Sequence, residues 1–79
     1  MDGYIKAMCL KLAELALETK SVYVDVMSFG ITVSHYSFNK DAVETIYFDS
    51  INFIEEDAEQ RIEKALDYVR NLGGNKDGR

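Results

Sequence analysis

The side chains that could do chemistry are few and widely spaced. His35 is the single histidine and Cys9 the single cysteine. A cysteine and a histidine form a nucleophilic pair only when they meet at an open cleft. Cys9 lies on an apolar helical stripe, where burial keeps a thiol protonated and inert, and His35 falls on the core side of a predicted strand. We expect a structural role for both residues and no catalytic residue.

Four carboxylates lie close together in the sequence, at Glu55, Glu56, Asp57 and Glu59. Calcium sites need a loop with glycine turns and alternating oxygen ligands, and no such loop is present. Negative charge is favoured in the first turn of a helix, which is the simpler interpretation of this cluster. No glycine-rich loop opens a helix after a strand, so phosphate cradles are not predicted. We expect no metal, no cofactor and no enzymatic activity.

Composition narrows the classes of partner. The chain has 79 residues, enough for one domain, and its 14 acidic and 9 basic residues give a net charge of −5. A field of that sign repels phosphate backbones and anionic lipid surfaces. We therefore expect a protein partner, with no direct nucleic-acid binding and no membrane association. A single cysteine and the lack of a signal-like segment favour a reduced, cytoplasmic setting.

The first predicted helix covers residues 4–19, with Asp2 as its N-cap. Its apolar arc is wider than one packed face requires, because a second stripe lies beside the main one. That second stripe consists of Leu10, Ala13 and Leu17. Its residues are predicted to form an oligomer interface, and a homodimer is expected.

Three short strands are predicted between residues 21 and 49, because apolar and polar side chains alternate there. Alternation of this kind indicates antiparallel strands with one buried face. The side chains predicted to share the buried face are Val22, Val24, Val26, Ile31, Val33, Ile46 and Phe48.

Two turns set the predicted strand registers. Phe29 and Gly30 form the first loop, in which glycine would supply a positive φ, and residues 39–42 form the second. Both registers keep the apolar side chains on one face, which favours a meander. The resulting opposed pairs are Val26 with Val33, Val24 with His35, Tyr23 with Tyr36, Val33 with Phe48, His35 with Ile46, and Tyr36 with Thr45.

The opposite face of the sheet is predicted to carry most of the tyrosines. Tyrosine supplies a large contact area at low conformational cost and is enriched in recognition surfaces. The alternative is that aromatic residues simply favour strands and pair across them. The predicted partner-binding residues are Tyr23, Asp25, Met27, Tyr36, Thr45 and Tyr47.

The second predicted helix covers residues 53–72. Asn52 and Glu55 resemble a capping box at its start, and Gly73 and Gly74 mark its end. Residues 1–72 then form one two-layer α+β domain, with a three-stranded antiparallel meander and both helices on one face. Residues 73–79 are predicted to be a flexible tail. The predicted core contains Ile5, Met8, Leu12, Leu15, Val22, Val24, Val26, Ile31, Val33, Ile46, Phe48, Ile62, Leu66 and Val69.

The α-β-β-β-α order resembles the topology of double-stranded-RNA-binding domains. That family contacts RNA through a basic helix start and a histidine in the loop between its first two strands. The matching helix start here is Glu55-Glu56-Asp57, and the matching loop is Ser28-Phe29-Gly30. The resemblance therefore implies the architecture and no RNA binding. In size and acidity the chain is also similar to small proteins of phages and mobile elements, among them anti-CRISPR inhibitors.

Two functions follow as hypotheses. The first is a small, non-enzymatic protein-interaction module that self-associates. The second is an acidic nucleic-acid mimic that inhibits a basic nucleic-acid-handling enzyme, and a structural subunit of a larger assembly is a weaker third. The mimic's phosphate substitutes would be Asp25, Asp41, Glu44, Asp49 and residues 55–59, and its binding should weaken steeply with salt.

Overall fold

The computed structural model describes residues 3–77. The elements are α1 (Gly3–Glu18), β1 (Val22–Met27), β2 (Gly30–Phe38), β3 (Val43–Asn52) and α2 (Ala58–Asp77). The strands form one antiparallel sheet in the order β1-β2-β3. The predicted α+β class and α-β-β-β-α order are confirmed.

Both helices pack on the same face of the sheet, which we call the inner face. Met8, Cys9 and Leu12 of α1 follow a helical spacing that presents them together to the sheet. They belong to one cluster with buried residues of the strands and of α2. The remaining members of that cluster are Val22, Ile31, Val33, Ile51, Ala58, Ile62, Ala65, Leu66 and Val69.

The β1–β2 hairpin differs from the predicted register by two residues. Val24 faces Val33 and Met27 faces Gly30, so the loop is Ser28-Phe29. A shift of two residues keeps every side chain on its predicted face. Gly30 has no positive φ. Its role is close approach, because a Cβ at this position would collide with the backbone oxygen of Ile51 and lie 3.3 Å from the Cα of Asn52.

The β2–β3 pair contains a β-bulge that the sequence did not reveal. Tyr36 faces Thr45 as predicted, but His35 faces Tyr47, so Ile46 is an extra residue on β3. One added residue moves every side chain beyond it in the strand to the opposite face of the sheet. The predicted pairing of Val33 with Phe48 is therefore wrong, as is that of His35 with Ile46. Val33 faces Asp49, and Phe48 faces Ser34.

The bulge corrects the predicted core. Phe48 was expected inside and is 59% exposed, and Ile46 is exposed as well. Ile51, which the sequence did not assign to the core, is buried and faces Ile31. Val26 is also outside the core, at 46% exposure, because it lies near the end of an outer strand. The other predicted core residues are buried or pack against the buried cluster.

Helix α2 begins later and ends later than predicted. Asn52 and Glu55 do interact, since the Asn52 N–H donates to Glu55 Oε1 at 3.3 Å, but they close a turn. Asp57 is the first residue whose carbonyl accepts an i+4 amide, from Arg61 at 3.0 Å, so Ile54 stays outside the helix and is 89% exposed. The helix continues past Gly73 to Asp77. The predicted N-cap Asp2 lies outside the described residues, as do residues 78–79 of the predicted tail, and the flexibility of that tail stays a prediction.

Candidate functional site

The outer face of the sheet, opposite the helices, is not covered by any described element. Strand pairing assigns its residues, because opposed side chains in an antiparallel ladder lie on the same face. The rows across the outer face are Met27, Gly30 and Asn52; Asp25, Thr32 and Ser50; Tyr23, Ser34 and Phe48; Tyr36 and Thr45; and Phe38 and Val43.

Five apolar side chains occupy one half of this outer face, and we call them the aromatic patch: Tyr23, Tyr36, Phe38, Val43 and Phe48. The rings of Tyr23 and Tyr36 have centroids 5.6 Å apart, and those of Tyr36 and Phe38 are 6.3 Å apart. Both pairs are tilted, an attractive geometry for aromatic rings. The patch is therefore organised by its own ring contacts before any partner arrives.

A shallow groove runs through the aromatic patch. Tyr23, Tyr36, Phe38 and Val43 line it, and its volume is about 250 Å³. Ser34 lies between Tyr23 and Phe48 and is only 6% exposed, although no helix covers this face. The flanking rings therefore shield the strand centre, while each still exposes more than half of its own surface.

The other half of the outer face is polar. Asp25 and Thr32 oppose each other on β1 and β2, and Thr32 Oγ1 lies 3.2 Å from Ser50 Oγ. An apolar patch with polar residues beside it combines the two kinds of surface that make up the core and the rim of protein-binding sites. This arrangement can bind a protein.

The structure brings together five of the six predicted partner-binding residues. Tyr23, Asp25, Met27, Tyr36 and Thr45 all lie on the outer face. The placement of Tyr47 there was wrong, because the bulge turns it to the inner face, where its ring stacks on Tyr68 of α2.

Tyr47 belongs to a polar junction between the sheet and α2. The Tyr68 hydroxyl lies 2.7 Å from His35 Nδ1. Burial raises the pKa of Tyr47, and the nearby Asp49 carboxylate and Tyr68 raise it further. Asp49 pairs with Arg61 of α2. These contacts fix α2 to β2 and β3, which is a structural role.

Sequence reasoning missed Phe38, Val43 and Phe48 as members of the aromatic patch. Phe38 continues the period-two pattern of Tyr36, and Val43 that of Thr45, so extending the alternation would have found both. The outer-face position of Phe48 could not be predicted from the alternation, because it depends on the bulge at Ile46.

The predicted oligomer-interface residues form a second uncovered surface. Leu10 and Leu17 of α1 are exposed, Leu17 by 88%, and Ala13 is half-buried. Ala13 and Leu17 line a groove along β1 together with Val22 and Val24. The structure thus shows that this stripe is uncovered within one chain, and its role as an interface stays a prediction.

Chemically reactive groups are sparse in the described part of the chain. Burial raises the pKa of the Cys9 thiol, and Cys9 is 2% exposed. Among residues 3–77, no three or more histidine, cysteine, aspartate or glutamate side chains are grouped so that they could hold a metal ion. No described helix has both the length and the apolar character needed to cross a membrane.

Comparison with known proteins does not identify a function for this surface. No family model, no curated protein and no solved structure matches the chain.

Proposed function

We propose that this chain is a non-enzymatic protein-interaction module that self-associates and binds a partner protein through the aromatic patch. The observation that carries the proposal is the exposure of Tyr23, Phe38, Val43 and Phe48 together on one uncovered sheet face. Isolated exposed apolar residues are ordinary, but a contiguous set on a flat, rigid surface is typical of a docking site.

The energetics of the aromatic patch favour an apolar partner surface. Aromatic side chains bury about 150–250 Å² each when covered, and each buried Å² of apolar area contributes about 25 cal/mol. About half of each ring is already buried within the chain, so covering the rest of three rings contributes several kcal/mol, which offsets part of the entropic cost of association. The rings are already in contact with one another, so little side-chain ordering is needed.

We also propose a reducing, cytoplasmic setting for this module. Its single thiol, Cys9, is buried in the core, and a protein without disulfides is typical of such a compartment.

The acidic mimic is supported less well by the geometry. The net charge of −5 favours it, and Glu56 and Glu59 are exposed. Arg61, however, pairs with Glu55 at 2.6 Å and with Asp49, and both were assigned as phosphate substitutes. A mimic needs such carboxylates free to meet a basic channel, and Arg61 partly neutralises them.

The test is capture of partners from the cells that express the chain, with quantification by mass spectrometry. The patch variant carries Phe38→Ser and Phe48→Ser. The matched control is Phe29→Ser, because Phe29 is also 59% exposed and lies in the β1–β2 loop, off the aromatic patch. We expect one or more proteins that wild type and Phe29→Ser capture equally and the patch variant loses at least tenfold. Equal capture by all three chains would contradict the patch as the binding surface.

A further inference from the structure

The two outer strands of the sheet differ in what lies along their free edges. Backbone groups in an antiparallel strand point alternately toward the two neighbours. The Tyr36 N–H donates to the Ser21 carbonyl at 3.1 Å, which continues the β1–β2 register. It follows that alternate residues of β1, namely Val22, Val24 and Val26, direct their N–H and C=O groups to the free edge.

The last part of the free edge of β3, at Ser50 and Asn52, is covered by the chain itself. The Phe53 N–H donates to the Phe29 carbonyl at 2.9 Å, so Ser50 and Asn52 are residues whose backbone groups point outward. Arg61 Nη2 donates to the Ser50 carbonyl at 3.1 Å. Glu55 accepts from the Asn52 N–H through its side chain and donates to the Asn52 carbonyl through its backbone N–H at 3.0 Å. Together with the bulge, these contacts protect the β3 edge from strand addition.

The free edge of β1 has no such hydrogen-bonded cover, although Val22 at its start is only 5% exposed and the solvent-open part of the edge is at Val24 and Val26. Within residues 3–77, no group bonds to the outward N–H and C=O groups of Val22, Val24 and Val26. The strand contains no proline, lysine or bulge, features that usually block edge pairing, and Asp25 is its one charged residue. Leu17 lies beside it, 88% exposed. An open strand edge next to exposed apolar side chains is a template for another strand.

We propose that the β1 edge pairs with the β1 edge of a second copy of this chain, antiparallel about a two-fold axis at Val24. This deepens the self-association part of the proposed function and rests on it. An axis at Val24 aligns all three outward-directed residues, since Val22 then opposes Val26 of the second copy; Val22 is buried in the single chain, so its pairing requires the side chains around it to move aside. Each such pair exchanges two hydrogen bonds.

Charge and apolar cover favour this register and this occupant. An axis at Asp25 would set two carboxylates opposite each other, which is unfavourable, whereas the axis at Val24 opposes Asp25 to Tyr23 of the second copy. Leu17 lines the same groove as Val22. Val26 of the second copy would therefore lie next to Leu17, and each would cover apolar surface that a single chain leaves exposed.

The resulting dimer has one six-stranded sheet. A two-fold axis normal to the sheet keeps all four helices on one side and both aromatic patches on the other. The dimer would therefore present two patches in one plane. This geometry suits a partner that is itself two-fold symmetric or that offers two equivalent sites, because the second contact then forms at a high effective concentration.

Disulfide cross-linking tests the register. Tyr23 and Asp25 of the two copies would form a pair without mutual hydrogen bonds, with Cα atoms about 4.5 Å apart, which is within disulfide reach. In a Cys9→Ala background, Tyr23→Cys and Asp25→Cys chains of different tag length are oxidised alone and mixed. We expect a covalent dimer only in the mixture. Cross-linking of Asp25→Cys or Tyr23→Cys alone, or none in the mixture, would overturn the axis at Val24.

A proline scan tests the edge without cysteines. Val24→Pro removes an N–H that points away from β2, so the β1–β2 ladder is kept. We expect a monomer by sedimentation at micromolar concentration, with a near-native circular dichroism spectrum. Should this variant not fold, the cross-linking result decides. A wild-type dimer that yields no cross-link would overturn the edge pairing and leave the self-association proposal standing. A monomeric wild type would overturn both and leave the aromatic patch to be tested by capture.

Discussion

The ring of Tyr47 on β3 stacks on the ring of Tyr68 on α2, with centroids 4.2 Å apart and planes 14° apart. The next residue, Phe48, points to the opposite side of the sheet and faces Ser34 and solvent. Tyr47 and Phe48 therefore have different structural roles although they are neighbours in the sequence. One holds the helix layer to the sheet, and the other builds the aromatic patch.

Truncation of these two neighbours should have unequal costs. Tyr47→Ala removes the stacked contact with Tyr68 and opens a cavity under α2, so we expect a loss of about 2–3 kcal/mol in the free energy of unfolding. Phe48→Ala removes a mostly exposed ring and should cost below about 1 kcal/mol. Urea denaturation of both variants measures the difference. Equal losses, or a larger loss for Phe48→Ala, would contradict the assigned faces.

Deletion of single residues in β3 tests the bulge itself. Deleting Ile46 removes the extra residue and leaves Tyr36 opposite Thr45 and His35 opposite Tyr47, so the chain should still unfold cooperatively. Deleting Phe48 either turns Asp49 and Ile51 away from the inner face or removes the bulge and takes Tyr47 away from Tyr68. Both outcomes lose contacts that the Ile46 deletion keeps, so we expect a lower melting temperature for the Phe48 deletion. Thermal melts of both deletions provide the comparison. A folded Phe48 deletion with an unfolded Ile46 deletion would show that the register is assigned wrongly.

Alkaline pH should weaken the fold through Tyr47. Burial, followed by the Asp49 carboxylate and Tyr68, raises its pKa above the ordinary value of 10.0. A raised folded-state pKa gives a stability contribution that is present below about pH 10 and lost as the pH rises through the raised value. We expect wild type to lose more stability between about pH 8 and about pH 11 than Tyr47→Phe does. Urea midpoints at both pH values measure this loss.

Tyr4 supplies the control for that pH series. Its hydroxyl donates to Glu63 Oε2 at 2.7 Å, and this hydrogen bond raises the pKa of Tyr4. Tyr4→Phe removes that contribution and should leave the contribution of Tyr47 in place. If Tyr47→Phe and wild type had the same pH dependence, the inner-face environment of Tyr47 would be refuted.

Removal of Arg61 should expose a second sheet edge. Arg61 pairs with Asp49 and Glu55 and donates to the Ser50 carbonyl. Arg61→Ala should lower the urea midpoint modestly, since the ion pairs that it removes are partly solvent-exposed. It should also favour oligomers larger than a dimer, because the Ser50 carbonyl would lose its cover and Glu55, which covers Asn52, would lose its ion pair.

Arg70→Ala is the matched control for Arg61. Arg70 is exposed and its described ion pair is a long one, 3.9 Å to Asp67, so its removal should change neither stability nor size. Light scattering of the two variants at equal concentration distinguishes them. Particles of wild-type size from Arg61→Ala would contradict the protective role of Arg61.

The fold class followed from periodicity alone, whereas the faces of β3 did not. The inner face is located by the helical spacing in residues 4–19 and by the alternation at Val22, Val24, Ile31 and Val33. An error of two residues in a hairpin register leaves these assignments unchanged, because it keeps every side chain on the same face. The bulge at Ile46 leaves no local signature, since isoleucine fits a regular strand equally well. Asn52 and Glu55 bond to each other in a turn that precedes α2. The same two residue types also fit a capping box at a helix start, so the local pattern does not separate the two.

The most direct test of the aromatic patch is nuclear magnetic resonance of the chain's aromatic ring signals during titration with a captured partner protein. We predict that the signals of Tyr23, Tyr36, Phe38 and Phe48 shift or broaden with saturation, while those of Phe29 and Tyr47 stay unchanged. Backbone changes confined to residues 55–59, with silent patch rings, would contradict the proposed surface and favour the acidic mimic.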